Sequence, residues 1–401
     1  MLVAWLIKTS LMVHPTALGK LEARGRVVSA FWLLSMVLLA AGTWVASIKH
    51  FVAKDNLHSW AAFIFAAAII SCFCWLPKYQ ERARELMQIL AISEFTFFLI
   101  VFIGAEIVRM LDGSYGVGYF INSRFSGLAE NPNQAALHLL SLPFFILSYG
   151  HAEMFKHRRW LQRIIFATVC WLGLSTKSDA LVVSWIVAST VGIAIYLIRR
   201  GMLATRGVAI CGILFICIVV IWNRVAILTE TMNIVSSAVP DWSARHLSRE
   251  PENRDFENRI ERYLESSGEK QKISLRLALW KNGLGAIAAS PWVGLGPGAH
   301  SGPSSPFNGY EAHNSLIDWG TNSGLLGITL FSSLVLWLAF TAWREENYAG
   351  FTGIVALLLF SQFHYVFRQP VFWFCLVILS TRNERVIADQ ELAELPVLSK
   401  A

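Results

Sequence analysis

His313 stands at the head of an apolar run, in the segment Ala312-His313-Asn314-Ser315. A neutral imidazole takes a proton from a hydroxyl nucleophile near neutral pH, which makes a histidine at a membrane edge a candidate general base. His300 is a weaker second base candidate, and Asn314 and Ser315 are suited to cap the helix that follows. Segments between the apolar runs also carry Arg124, Arg245, Arg249, Arg254, Arg259, Arg262, Arg276 and Arg368. Guanidinium stays charged and grips phosphate oxygens with two parallel hydrogen bonds, so two or three such groups in a pocket would bind a lipid diphosphate. Arg276 is the most informative, because it lies one helical turn before Trp280 and shares its face. Each residue also has a plainer reading: surface charge for an arginine, an interfacial or capping residue for His313.

Other chemistry is missing from the chain. No D-x-D occurs, so the usual carboxylate clamp for a metal-bound nucleotide sugar is absent. There is no P-loop, no H-E-x-x-H and no G-x-S-x-G elbow. Gly294, Gly296 and Gly298 form no dinucleotide fingerprint, since no strand precedes them, and a turn is the safer reading. Glu94 and Glu106 are unusual within an apolar run, and Glu106 has Arg109 three residues on as a local partner. All six cysteines sit in apolar runs and read as packing residues, with no disulfide, metal site or cofactor expected.

The elements that must hold these residues are membrane helices. The 401-residue chain is 55% hydrophobic and only 15% charged, with mean hydropathy +0.50. Roughly 20 apolar residues cross a bilayer as a helix, and in lipid the spans must be helical because the backbone has no other partners. The apolar runs are Val27–Ile48, Ser59–Leu76, Leu86–Met110, Gln134–Gly150, Leu161–Ser175, Ala180–Ile198, Gly207–Ala226, Gly324–Trp343, Gly350–Phe367 and Val371–Ser380. The basic clusters after alternate runs, among them Lys78, Arg82, Arg158, Arg159, Arg199, Arg200 and Arg344, all fall on one side of this arrangement. The positive-inside rule makes that side the cytoplasm. The net charge of +7 thus reflects inner loops rather than a nucleic-acid surface.

The fold class expected is all-α: a polytopic transmembrane bundle of about 10–12 spans with one large periplasmic loop containing amphipathic helices. Residues 1–227 form the N-terminal spans, 228–312 the large loop, 313–381 the C-terminal spans and 382–401 a cytoplasmic tail. In the large loop, Phe256, Ile260 and Leu264 recur at helical spacing, and a second helix is predicted over Ser274–Ala289, stopped by Pro291.

Several of these segments together resemble the O-antigen ligase family, whose superfamily also includes O-antigen and exopolysaccharide polymerases. His313-Asn314, nine residues, then Gly324-Leu325-Leu326-Gly327 matches the family's H-N-x9-G-x-x-G signature. Arg276-x-x-x-Trp280 and Ser290-Pro291-Trp292-Val293-Gly294-Leu295-Gly296-Pro297-Gly298 are similar to the stretch before the histidine. Arg124-Phe125-Ser126-Gly127, followed by Asn131-Pro132-Asn133, resembles an earlier outer loop. One element departs: where the family has R-x-x-x-L, this chain has Lys177-Ser178-Asp179-Ala180-Leu181, a point charge in place of a fork.

The resemblance implies a glycosyltransferase of the bacterial inner membrane, with its active site facing the periplasm. Its donor would be a glycan on undecaprenyl diphosphate, and its favoured acceptor a hydroxyl of lipid A–core, attacked with inversion. The alternative acceptor is another lipid-linked repeat unit, which would make the protein an O-antigen or exopolysaccharide polymerase. By the same resemblance His313 would be the base, and Arg276, Arg124 and Lys177 would hold the diphosphate and stabilise its developing charge; Asn314 and Arg368 are weaker candidates. Neither metal nor cofactor would then be required. A membrane transporter or lipid flippase is the second alternative, disfavoured because the sequence shows no inverted repeat or paired broken helices.

Overall fold

The computed structural model describes residues 17–49, 56–75, 77–112, 120–121, 124–127, 129, 131–148, 159–199, 269–298 and 311–380. Within them the chain forms α1 (Ala17–Ile48), α2 (Asn56–Trp75), α3 (Pro77–Asp112), α4 (Pro132–Ser148), α5 (Arg159–Ser175), α6 (Asp179–Arg199), α7 (Glu269–Ala289), α8 (Ser315–Arg344), α9 (Tyr348–Ser361) and α10 (Pro370–Leu379). Nine of the ten predicted spans fall on these helices; Gly207–Ala226 lies outside the described residues, as does the amphipathic helix predicted around Ile260. The protein is an all-α polytopic membrane protein. Arg24–Ile48, Asp179–Arg199 and Ser315–Arg344 are long and apolar enough to cross a bilayer, and shorter apolar helices accompany them. The one addition to the all-α expectation is a two-residue antiparallel pair, β1 (Phe120–Ile121) with β2 (Arg124–Phe125), in the register Phe120↔Phe125.

The helices group into two compact units that do not follow chain order. The first contains Met1–Leu34, Ala62–Leu203 and Leu330–Ala401. In it α9 packs along α6 and α4, and α4 along α5. Phe98, Phe102, Phe125, Leu139, Val169 and Leu172 form one core, with Phe102 and Phe125 edge-to-face at 5.1 Å. A second aromatic cluster joins Trp32, Phe331, Phe367 and Trp373; the Trp373 indole N–H donates to the Phe367 carbonyl at 2.7 Å, so the large ring is buried without leaving a donor unpaired. Arg24 pairs with Glu345 and Arg199 with Glu346 at 2.6 Å. The charge-based topology assigns these arginines to one side of the membrane, and their pairing with adjacent acids after α8 brings them to one end of the unit.

The second unit contains Ser35–Ala61 and Ala204–Thr329. Small residues let its backbones approach. A Cβ at Gly42 of α1 would lie 2.6 Å from the Gly296 amide nitrogen and 2.9 Å from the Asn322 carbonyl oxygen. Ala46, Ala286 and Leu295 pack together beside it, and the Lys49 ammonium donates to the Ala289 carbonyl at the end of α7, where the helix dipole favours a cation.

Candidate active site

Each unit holds candidate residues of its own. In the second, α7 and α8 interlock. A Cβ at Gly283 would sit 2.6 Å from Ile317 and 3.6 Å from the Ala312 Cβ, and one at Gly320 would sit 2.7 Å from Ile287. Arg276, Trp280, Gly283 and Ile287 are spaced by four, three and four, so they form one stripe of α7. The stripe that grips the start of α8 therefore carries Arg276 at its N-terminal end.

His313 precedes α8 by two residues and adopts φ 51°. This left-handed conformation is uncommon for a residue with a Cβ and costs on the order of 1–3 kcal/mol, so the surroundings must hold it. The structure shows what does so. The Asp318 carboxylate, fully buried, accepts the Ala312 N–H at 2.7 Å and the Asn314 N–H at 3.2 Å, one on either side of His313. The Asn314 side-chain oxygen accepts the Leu316 and Ile317 N–H groups, both at 3.1 Å, which is N-capping of α8. The His313 side chain still meets solvent, yet it is set deep enough in the protein that its pKa is lowered. Burial is the larger cause and the Arg276 charge the second, together bringing it to about 4. The imidazole is thus neutral at physiological pH, with a free lone pair. His300, the weaker base candidate, lies outside the described residues.

The glycines of the signature have a different task. α8 is broken at Gly324, whose φ 66° and ψ −169° suit glycine almost exclusively. A Cβ there would lie 2.3 Å from the Trp292 carbonyl carbon. A break inside an apolar helix strands carbonyls before it and N–H groups after it, and lipid offers neither a partner. The Pro291–Gly296 turn supplies both. Leu295 and Gly296 N–H groups donate to the Thr321 and Asn322 carbonyls at 2.7 and 3.0 Å, and the Leu325 and Leu326 N–H groups donate to the Pro291 and Trp292 carbonyls at 2.7 and 3.3 Å. The amides of Leu295 and Gly296 are therefore engaged within the protein rather than presented to an anion. The Trp319 indole then spans the break, donating to the Gly327 carbonyl at 3.0 Å.

In the first unit, Phe125 is buried in the core, and its strand neighbour Arg124 points the other way. Arg124 Nε donates to the Thr176 carbonyl and its Nη2 to the Asn133 side-chain oxygen, both at 3.0 Å. Asn133 is fixed in turn, because its N–H donates to the Asn131 side chain at 2.8 Å and Pro132 opens α4. Arg124 thereby ties the Asn131-Pro132-Asn133 turn to the Thr176–Asp179 loop. Burial lowers its pKa and the nearby Asp179 charge opposes that shift, but the group stays cationic. Lys177, in that same loop, is exposed with φ 50°. Arg368 stacks over the Tyr365 ring, 5.0 Å from its centroid.

Residues 163–332 match the O-antigen ligase family. The match covers 170 of the 401 residues and supports the O-antigen ligase superfamily. Comparison with curated proteins gives no match. The matched segment contains Lys177, Arg276, His313 and the Gly324–Gly327 signature, whereas Arg124 precedes it. A member of this superfamily is a membrane glycosyltransferase of the O-antigen ligase or polymerase type, acting on lipid-linked glycans. Asp318 was not among the residues singled out from sequence; its signal was a lone carboxylate five residues after the signature histidine.

Proposed function

We propose that the protein is an O-antigen ligase, moving a glycan from undecaprenyl diphosphate to a hydroxyl of lipid A–core at the periplasmic face of the inner membrane. The carrying observation is His313: a solvent-accessible imidazole, neutral and held in a strained conformation, within reach of the Arg276 charge. In this reading His313 removes the acceptor proton as the oxygen attacks the anomeric carbon. The C–O bond to the diphosphate breaks on the opposite face, so configuration inverts. The leaving group carries the negative charge, and Arg276, whose charge acts on His313, stabilises it where it develops; Arg124 and Lys177 are the further diphosphate-holding residues that the family resemblance implies. Two of Arg124's five N–H donors are engaged by protein oxygens, and the engagement aims the remainder.

The sequence lacks the carboxylate clamp by which many sugar-nucleotide enzymes hold a metal, and arginine charge supplies what that metal would. EDTA therefore leaves transfer unchanged; loss of activity restored by a divalent ion would refute this part. The main test uses purified protein in detergent with undecaprenyl-diphosphate glycan and two acceptors in parallel, lipid A–core and further donor. One glycan joined to lipid A–core establishes the ligase. A ladder of longer lipid-linked chains establishes the polymerase instead. Neither product, with His313→Ala indistinguishable from wild type, removes the transferase reading.

A further inference from the structure

We propose that Asp318 is a positioning residue for the reaction, acting by holding His313 in its left-handed conformation; the proposal rests on His313 being the base. Asn314 already caps α8 through the Leu316 and Ile317 N–H groups, whereas the N–H groups that Asp318 accepts belong to residues before the helix. Asp318 is not needed for that task. It sits in the first turn of α8 and reaches backwards, out of its own helix. One oxygen takes the Ala312 N–H and the other takes the Asn314 N–H.

The peptide plane after His313 and the plane before Ala312 are thus tied to one rigid group. Little freedom is left to the two residues between them, Ala312 and His313, which a single-oxygen cap cannot achieve. The Asp318 N–H donates back to the Asn314 carbonyl at 2.9 Å, so carboxylate and backbone lock one another. The carboxylate is also wholly removed from water, a placement that stability alone disfavours unless its hydrogen bonds serve something. Its location in the positive field of a helix start lessens that cost. What it serves, in this geometry, is the direction of the imidazole.

The test is Asp318→Asn, which keeps size and one acceptor oxygen but loses the symmetrical two-oxygen grip. A displacement near 1 Å costs on the order of 100-fold in rate. We expect kcat per folded molecule to fall by about that factor, with KM for the lipid-linked donor within about twofold. The acid limb of kcat/KM should move up in pH, because the ring leaves the site where burial and Arg276 hold it neutral. The charged residues nearest His313 on its own segment are Glu311 and Asp318, and Arg276 of α7 is the charge that acts on the ring. In a His313→Ala background the same substitution should cause no further loss, since residues acting as one unit are not additive.

A variant with less folded protein but unchanged kcat and an unchanged acid limb would overturn the proposal, leaving Asp318 a stability residue. If Asp318→Asn does not fold, Asp318→Glu keeps the charge while displacing the oxygens, and it is read on the same axes. Full activity of His313→Ala would overturn the base assignment itself, a result distinguishable from failure of the Asp318 proposal.

Discussion

Two helices of this protein begin in the same unusual way and are finished differently. α6 is preceded by Lys177-Ser178 and α8 by His313-Asn314. In each the residue two before the helix is a long polar side chain with φ near 50°. At α8 the Ala312, Asn314, Leu316 and Ile317 N–H groups meet side-chain acceptors: Asn314 caps the helix and Asp318 ties the segment behind it. At α6 the corresponding Ser178 hydroxyl is buried and makes no hydrogen bond. The loop is held instead from outside, by Arg124 on the Thr176 carbonyl. The α8 start is a fully pre-formed site suited to a group that must be aimed, a general base. The α6 start is a cationic loop whose support is itself a candidate ligand-binding arginine. Disturbing the first should change rate, and disturbing the second should change binding as well.

The largest expected effect is His313→Ala. Positioned general bases contribute about 10²–10⁴-fold, so transfer should fall by at least 100-fold while the protein still inserts and keeps its thermal midpoint. Near-normal transfer would erase the functional half of the comparison. His313→Gly should lose the same activity and, being free of left-handed strain, should be no less stable than the alanine variant.

Next comes Arg124→Lys against Arg199→Lys. Arg124 and Arg199 lie near opposite ends of α6, roughly 30 Å apart at 1.5 Å per residue. Arg199 faces the Glu346 carboxylate across 2.6 Å in an exposed setting, and exposed pairs contribute ~0–1 kcal/mol. Arg124 uses its fork to join a turn to a loop through neutral oxygens. Lysine cannot make both contacts, so Arg124→Lys should raise KM for the lipid-linked donor and lower kcat, together about 10–100-fold in kcat/KM. Arg199→Lys should change kcat/KM by less than about twofold. Equal effects at the two positions would mean Arg124 is only another surface charge.

These expectations also mark what the sequence revealed and where it stopped. Spans were legible because their length is set by bilayer thickness, and Ser274–Ala289 was legible because Pro291 ends it one residue after the last turn. Arg276 and His313 stood out through type and spacing. Asp318 did not, since its partners are backbone N–H groups whose directions exist only once His313 turns left-handed. Gly324 stood out only as part of the signature; that it is a break, closed by a turn about thirty residues earlier in the chain, depends on tertiary hydrogen bonds. Glu94 likewise was given no partner by its own helix, and the structure joins it to His138 of α4. Arg109's side chain, the partner expected for Glu106, lies outside the described residues.

A smaller effect concerns pH. His313 in the free protein has its pKa lowered to about 4, by burial first and Arg276 second, so kcat/KM should hold well below pH 6.5 before its acid limb appears. Bound diphosphate would offset the Arg276 charge and let the imidazole's pKa rise. The acid limb of kcat, which reports the substrate complex, should therefore lie at higher pH than that of kcat/KM. Arg276→Gln should raise the kcat/KM limb, since removing a cation favours the imidazolium. A limb that stays in place in this variant would mean Arg276 does not act on the base.

The smallest effect separates the two helix starts by sign. Asn314→Ala deletes a cap that satisfies two N–H groups, and such losses cost about 0.5–2 kcal/mol. Ser178→Ala deletes a buried hydroxyl that has no partner, so the unliganded protein regains the cost of keeping that group from water; the gain is up to about 1 kcal/mol. Thermal midpoints of the two variants in one detergent should therefore move in opposite directions, down for Asn314→Ala and level or up for Ser178→Ala. If both fall alike, Ser178 caps α6 as Asn314 caps α8, and the two starts are finished in the same way after all. If they diverge, the α6 loop depends on Arg124 for its shape, and Arg124→Ala should then lower the midpoint more than Ser178→Ala changes it.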